Sequence, residues 1–356
     1  DNKAFDKAGQ SVFMKDDSQH ADGRATGLAE WARATASIAD IPQSAALVPV
    51  SDDASFRRYF RFSEGGAGLV FVDAPPEHED NESFVKISAA LCEAGLNCPE
   101  VKAFDYNLGY LAVTDLGDRL YLDELMENPS AVPSLYRDAI RAILKLLPVT
   151  CELPPYDALK LKTEMDLFHE WFLVGQLGLK VDSDVAQMLE EVYECLISSA
   201  LEQPAVFVHR DFHSRNLMVE AAANPGIIDF QDALVGPVTY DLVSLYKDCY
   251  YQFDRNLVEQ VVDDFRQELA SRGLVASDVP MLRWFDLMGA QRHLKCLGVF
   301  SRLNLRDGKP GYLADIPLVV DYLVETSAIY PELERFHKWL LAEIMPKVSD
   351  LKQVMR

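Results

Sequence analysis

The stretch Val206-Phe207-Val208-His209-Arg210-Asp211-Phe212-His213-Ser214-Arg215-Asn216-Leu217-Met218-Val219, followed by Gly226-Ile227-Ile228-Asp229-Phe230, decides how this chain reads. Two short β-rich pieces flank a polar loop, so the irregular backbone can aim Asp211, His213 and Asn216 at one point. Asp229 closes the next apolar strand. A single Asp or Asn in a loop usually does no more than stabilise a turn. Here His209-x-Asp211, an Asn five positions after Asp211 and an Ile-Ile-Asp-Phe strand end occur together, and the combination outweighs that plainer reading.

Upstream the apolar pattern changes several times. Leu28, Trp31, Ala32 and Ile38 recur at helical spacing and predict a helix over Thr26 to Ala39. Phe56, Arg58, Phe60 and Phe62 then alternate with Arg57, Tyr59 and Arg61, a period of two, and the Gly65-Gly66 turn leads into Leu69 to Val72. Phe84, Ile87, Leu91 and Ala94 predict a helix from about Asn81 to Ala94, stopped by Gly95. Short strands are expected at Val101 to Tyr106 and Tyr110 to Thr114. This order gives a small lobe over 26–117, preceded by a polar leader, 1–25, that reads as disordered or added. Beyond it, 118–356 is mostly helical by spacing. The expected class is α+β, with a small antiparallel-sheet lobe and a larger helical one.

Composition narrows the partners. The 356 residues are 49% apolar, enough for substantial cores, and carry 56 acidic against 34 basic side chains, a formal charge of −22. That excess opposes broad binding of nucleic acid or anionic lipid, both polyanions. The six cysteines form no CxxC pair and no zinc spacing, so they read as reduced thiols. With no apolar run of membrane length and no signal-peptide core, a cytoplasmic monomer or weak dimer acting on a small molecule is expected.

Phosphoryl transfer needs the convergence that the loop provides. A carboxylate orients the attacking hydroxyl and accepts its proton, and oxygen ligands hold Mg²⁺ against the phosphates. The Asp211 to Asn216 spacing and the strand-end Asp229 resemble a kinase catalytic loop. His-Arg-Asp-Phe-His-Ser-Arg-Asn, with a His between base and Asn, resembles the aminoglycoside-phosphotransferase and choline-kinase-like families over roughly the whole chain from Thr26. That resemblance implies a bilobal protein-kinase-like fold, ATP and Mg²⁺ as cofactors, and Asp211 as base with His209 and His213 beside it. It also implies Asn216 and Asp229 as metal ligands and Asp241 as the structural Asp that bonds the catalytic loop. An ordinary helix N-cap fits Asp241 equally.

The same resemblance places the nucleotide on the small lobe. Ser51 to Ser55 would lie over the phosphates through backbone N–H groups and hydroxyls, although a solvated turn has the same composition. Leu69 to Asp73 lacks the Lys that protein kinases carry on the third strand, so Arg58, Arg61 or Lys86 would have to supply the cation. Lys86 also stands one turn after Glu82, as a surface ion pair would. Asp115, Leu116 and Gly117 correspond to the adenine-binding hinge, or to a plain connector.

Four phrases carry a finer likeness: Ser-Phe-Arg-Arg-Tyr-Phe-Arg at 55–61, Val-Asp-Ala-Pro-Pro-Glu at 72–77, Asp-Leu-Phe-His-Glu-Trp-Phe at 166–172 and Gln-Arg-His-Leu-Lys at 291–295. They resemble the anomeric kinases of N-acetylmuramate and N-acetylglucosamine that serve peptidoglycan recycling, a group that shares the Lys-less strand. An amino sugar is thereby implied as substrate. Arg292 and His293 are candidates for its carboxylate and Glu170 and Trp171 for the ring, although Trp at helical spacing is often core and Arg292 could form a structural ion pair. An aminoglycoside, choline or homoserine-like acceptor, or a silent nucleotide-binding module, remain as other readings.

Overall fold

The computed structural model describes residues 13–35, 40–50, 56–66 and 68–354. The chain divides into two compact units, Asp1–Asp118 and Arg119–Arg356. The loop with Ser51 and Ser55, the Ile38 end of the first expected helix and residues 1–12 of the leader lie outside the described residues.

The first unit contains α1 (Phe13–Ala34), β1 (Leu47–Pro49), β2 (Arg58–Phe62), β3 (Leu69–Asp73), α2 (Asn81–Glu93), β4 (Val101–Asp105) and β5 (Tyr110–Thr114). The strands form one antiparallel sheet in the order β1-β2-β3-β5-β4. Leu28 and Ala32 of α1 pack with Phe60, Phe62, Phe71 and Tyr110 of the sheet in one apolar core. Gly27 permits that approach, since a Cβ there would stand 2.6 Å from the Tyr110 hydroxyl oxygen. The hydroxyl donates to the Arg24 carbonyl at 3.0 Å.

Two elements differ from the sequence expectation. Helix α1 starts at Phe13, well before Thr26, because residues 15–24 are nearly all polar and carry no apolar stripe to reveal a helix. Strand β1 went unpredicted: it is three residues long, lies at the sheet edge and ends in Pro49, features that erase a period-two signal.

The second unit runs α3 (Tyr121–Glu127), α4 (Val132–Leu146), α5 (Ala158–Leu167), α6 (Ser183–Leu201), β6 (Ala205–Val208), β7 (Leu217–Met218), β8 (Gly226–Ile227), β9 (Leu234–Pro237), α7 (Tyr240–Tyr246), α8 (Arg255–Ser271), α9 (Met281–Leu305), α10 (Ile316–Ile329), α11 (Glu334–Trp339) and α12 (Met345–Val354). β6 pairs with β9 and β7 with β8, both antiparallel, so two short ribbons frame the loop singled out above. Helix α5 continues into a wide π-type segment, Phe168–Gln176, where the Leu177 N–H reaches the Phe172 carbonyl at 3.0 Å. Such wide turns frequently mark functional positions. Among the described residues no helix is long and apolar enough to cross a membrane.

Helix α9 is the spine of this unit, with Leu287, Leu294, Leu297 and Phe300 in the core beside Phe168 and Phe172. The crossing with the end of α5 is set by Gly298, where a Cβ would lie 2.4 Å from the Leu167 carbonyl carbon. Backbone cannot yield as a side-chain tip can. Gly298→Ala is expected to destabilise the protein by about 1–3 kcal/mol, read as a lower thermal midpoint, and an unchanged midpoint would show that the two helices separate at no cost.

Candidate active site

The loop after β6 is held in a conformation that its residues do not favour. Arg210 (φ 77°) and Asp229 (φ 63°) occupy the left-handed region, which costs non-glycine residues about 1–3 kcal/mol each. Buried Asp241 of α7 provides the restraint on one side. Its carboxylate accepts from the backbone N–H groups of His209 at 2.8 Å and Arg210 at 3.0 Å. Burial raises this carboxyl to about 7, against the pull of those two donors. Asp241 therefore supports the loop, while Thr239 occupies the N-cap of α7.

The Arg210 side chain is tied down as firmly. Its guanidinium pairs with Glu164 of α5, which also accepts from the Tyr156 hydroxyl and, at 3.4 Å, from Gln291 of α9. Ser214 is fixed through its N–H at 3.0 Å and its hydroxyl at 2.6 Å to Asp248. The loop thus rests on α5, α7, α9 and the turn after α7.

Inside this frame Asp211, Asn216 and Asp229 come together. The Asn216 amide NH₂ donates to the Asp211 carbonyl at 3.0 Å and to the Asp229 carboxylate at 3.1 Å, which turns its own oxygen away from both. Gln231 donates to the other Asp229 oxygen at 2.6 Å. Among the described residues the Asp211 carboxylate accepts no hydrogen bond. Burial works against its charge, but Lys295, His213, Arg292 and Arg210 outweigh burial and hold the carboxyl well below the usual carboxylate range. Asp229 behaves oppositely. Desolvation by the crowding protein and the neighbouring Asp211 charge push it up to about 6 although the residue keeps solvent contact, so the charge is the firmer cause.

The two histidines are enclosed. His209 is fully buried, its Nε2 is 3.0 Å from the Ile228 carbonyl, and burial lowers its pKa to about 4. Burial likewise lowers His213, whose ring meets the edge of Tyr250. Both are neutral near pH 7. Arg215, two residues on, lies over the Tyr250 ring at 3.7 Å.

Of the residues predicted for an acceptor, Glu170 is exposed and Trp171 half-buried on the π-type segment, so Trp171 is not a core residue. Arg292 of α9 is 2% exposed and forms no ion pair among the described residues; its Nη1 lies 3.6 Å from the Cys249 sulfur. His293 is wholly buried, stacks on Tyr322 and meets the Lys247 carbonyl at 3.0 Å, bonds that tie it into the core. Sequence reasoning overlooked Glu164 and Lys295. Lys295 was visible only as the last letter of the quoted phrase at 291–295, and its spacing of three from Arg292 was the signal that placed both on one helical face.

In the first unit the expected cations already have carboxylate partners. Arg58 bonds Asp73 at 3.1 Å, and Arg24 bonds the same carboxylate at 2.8 Å. Arg61 bonds Asp115 at 2.6 and 2.7 Å and Gly117 at 3.0 Å. Lys86 sits in an exposed pair with Glu82 at 3.8 Å. Asp115 accepts from the Gly117 N–H at 2.9 Å, shaping the turn at Asp115 to Gly117 around a glycine with φ 79°.

A five-stranded sheet unit, a helical unit and a strained loop presenting Asp211, Asn216 and Asp229 are together those of a phosphotransferase. Residues 46–275 match the family described as "Phosphotransferase enzyme family", and the chain belongs to it. A Pseudomonas aeruginosa protein named N-acetylmuramate/N-acetylglucosamine kinase is 43% identical over 293 residues, 81% of this chain and 86% of that protein. One of the same name from Neisseria meningitidis serogroup B is 37% identical over 82% of this chain and 89% of its own. Two crystal structures share the fold. An ADP-bound aminoglycoside phosphotransferase superposes with a TM-score of 0.56 at 14% identity, covering 84% of this chain and 98% of its own. A choline/ethanolamine kinase family protein from Mesorhizobium loti gives 0.54 at 16%, covering 92% and 99%. The expected α+β kinase-like fold and phosphotransferase class therefore hold.

Proposed function

We propose that this protein is an ATP- and Mg²⁺-dependent kinase that phosphorylates the anomeric hydroxyl of N-acetylmuramate, N-acetylglucosamine or both, in recycling of cell-wall sugars. The observation that carries the reading is the Asp211 carboxylate, ionised and accepting no hydrogen bond among the described residues, on the loop that also brings Asn216 to Asp229. The name shared by the relatives described above supports the choice of acceptor.

Asp211 accepts the hydrogen bond of the sugar hydroxyl, orients it for attack and takes its proton as the new phosphate ester forms. Its low basicity suits a loose transition state, in which the proton leaves late. With its amide turned over, Asn216 would offer its oxygen beside the Asp229 carboxylate, an all-oxygen donor pair of the kind that Mg²⁺ takes together with phosphates and water. When bound, the cation neutralises charge on the transferring group. Neutral His209 and His213 shape the loop as hydrogen-bonding and packing groups. On the nucleotide side, Asp115, Leu116 and Gly117 present the adenine-binding backbone, and Ser51 and Ser55 the phosphate loop. Arg58 and Arg61 order that lobe, and Lys86 stands on its exposed α2 surface paired with Glu82. Glu170, Trp171, Arg292 and His293 serve the acceptor, Trp171 offering a flat apolar face and His293 backing Arg292.

Steady-state ATP turnover against N-acetylmuramate, N-acetylglucosamine, an aminoglycoside, choline and homoserine tests this reading. Turnover with the two amino sugars, giving an acid-labile 1-phosphate, is expected. Activity confined to the aminoglycoside, choline or homoserine would replace the acceptor, and none with any of them would leave a nucleotide-binding module.

A further inference from the structure

Lys295 belongs to no bond that the fold needs. It is half-buried on α9, and among the described residues its ammonium makes no hydrogen bond or ion pair. Yet Asp211, Glu164 and Tyr240 are near enough to hold its charge: burial pulls its pKa down and those groups outweigh the burial. Asp211, in turn, accepts no hydrogen bond at its carboxylate among the described residues.

Arg292, three residues earlier on the same helical face, presents the same anomaly in a stronger form. Among the described residues, a guanidinium that is 2% exposed has a thiol as its one hydrogen-bonding partner and an Nε with none. Taking such a charge out of water without a hydrogen-bonded anion costs several kcal/mol. The chain has no shortage of carboxylates, 56 acidic side chains against 34 basic. Arg58, Arg61, Arg210 and Arg255 each take one. Two neighbouring cations with no hydrogen-bonded carboxylate among the described residues, in the field of the Asp211 carboxylate of the loop, mark a place kept for an anion from outside the protein. Gln291 anchors this turn of α9 through its NH₂ to Glu164 at 3.4 Å and to the Tyr156 hydroxyl at 3.2 Å, while its own oxygen and the buried Tyr240 hydroxyl have no hydrogen-bond partner among the described residues.

We propose that Arg292 and Lys295 form an anion clamp on α9 that binds the carboxylate of an acidic amino sugar while its anomeric hydroxyl rests on Asp211, so that the pair sets preference for carboxylated over neutral acceptors. The inference rests on the sugar-kinase reading and extends it to a residue that reading left unused. A planar guanidinium and a mobile ammonium can each donate to one carboxylate, Arg292 fixing its plane and Lys295 closing over it. N-acetylmuramate carries such a group in its lactyl arm, and N-acetylglucosamine does not.

The test is steady-state kinetics of the full chain and of Lys295→Met and Lys295→Arg with both sugars, with thermal melts to verify folding. Lys295 is chosen over buried Arg292 because its removal leaves no core void. Loss of a charge-assisted hydrogen bond is expected to raise KM for N-acetylmuramate by about 10–100-fold, at least about 10-fold more than for N-acetylglucosamine, with Lys295→Arg recovering most of it. Equal losses with both sugars would overturn the clamp and move Lys295 to the transferring phosphoryl group. No loss with either would overturn it too, leaving an ordered-water site. Wild-type protein that phosphorylates neither sugar would sink the sugar-kinase reading itself, a result separable from both.

Discussion

Asp211→Asn is expected to lower kcat by at least about 10²-fold, the usual scale for losing a general base, while ATP affinity stays within a few-fold of wild type. The substitution is nearly isosteric, so it tests charge and not shape. The loop contacts of residue 211 run through its backbone: its carbonyl accepts from the His213 N–H and from the Asn216 amide, and both bonds survive the change. The loop is anchored from outside by Asp241 and Glu164, which are untouched. What disappears is the one anionic oxygen pair at the site that accepts no hydrogen bond from the described protein, together with the charge that Lys295 and Arg292 face. Stopped-flow or steady-state turnover, paired with calorimetric titration of ATP, separates the two expectations. Unchanged turnover removes Asp211 from the chemistry.

The fold was legible wherever one face of an element is apolar and the other is not. The alternation Phe60, Arg61, Phe62 located β2, and Phe84, Ile87 and Leu91 located α2 to within a residue of its observed ends, because those side chains are the ones buried. Polar helices escape that signal, as the early start of α1 shows. So does the register of β6 on β9, which pairs residues about thirty positions apart through neighbours that no local pattern encodes.

At the site, residue types that carry chemistry were legible and residues that carry position were not. Asp211, Asn216 and Asp229 stand in one short stretch with fixed spacing, whereas Glu164 reaches Arg210 across 46 positions and Lys295 reaches the loop from another helix. Arg292 drew attention only through the phrase at 291–295, as a candidate with His293 for a sugar carboxylate. Only its burial without a hydrogen-bonded carboxylate among the described residues separates it from ordinary surface-paired arginines such as Arg266 and Arg272. The reverse holds for Arg58 and Arg61, whose sequence position suggested phosphate ligands and whose guanidinium groups are bound to Asp73 and Asp115. A phosphate contact by either would have to share a group already neutralised.

The largest effect on stability is expected away from the chemistry, at Asp286. This fully buried carboxylate on α9 accepts from Lys247 at 3.1 Å, from Arg255 at 2.6 and 2.8 Å and from the Tyr330 hydroxyl at 2.8 Å. Burial acts against its charge, and the Arg255 bonds and the Lys247 charge outweigh it to keep the carboxyl below its ordinary range. Among the described residues the ammonium of Lys247, 2% exposed, has one other hydrogen-bond partner, the Thr326 hydroxyl at 3.1 Å. Asp286→Ala therefore strands an ammonium in the core, and removing one partner of a buried ion pair costs about 3–5 kcal/mol. For a unit of this size roughly 2–4 °C follows per kcal/mol, so the thermal midpoint is expected to fall by about 6–20 °C. Arg255 is partly exposed and can turn to solvent and to Glu259; Lys247 cannot. A double variant, Lys247→Met with Asp286→Leu, should therefore recover most of the loss, since an apolar pair of similar volume often matches a buried ion pair. The consequence reaches the active site through α7. Lys247 caps that helix, and its carbonyl holds His293 beside Arg292, while Asp241 at the other end holds the strained loop. Melts of the three proteins decide the matter: a midpoint for Asp286→Ala within about 2 °C of wild type would mean that water reaches Lys247, and that the cluster does not tie α7 to α9.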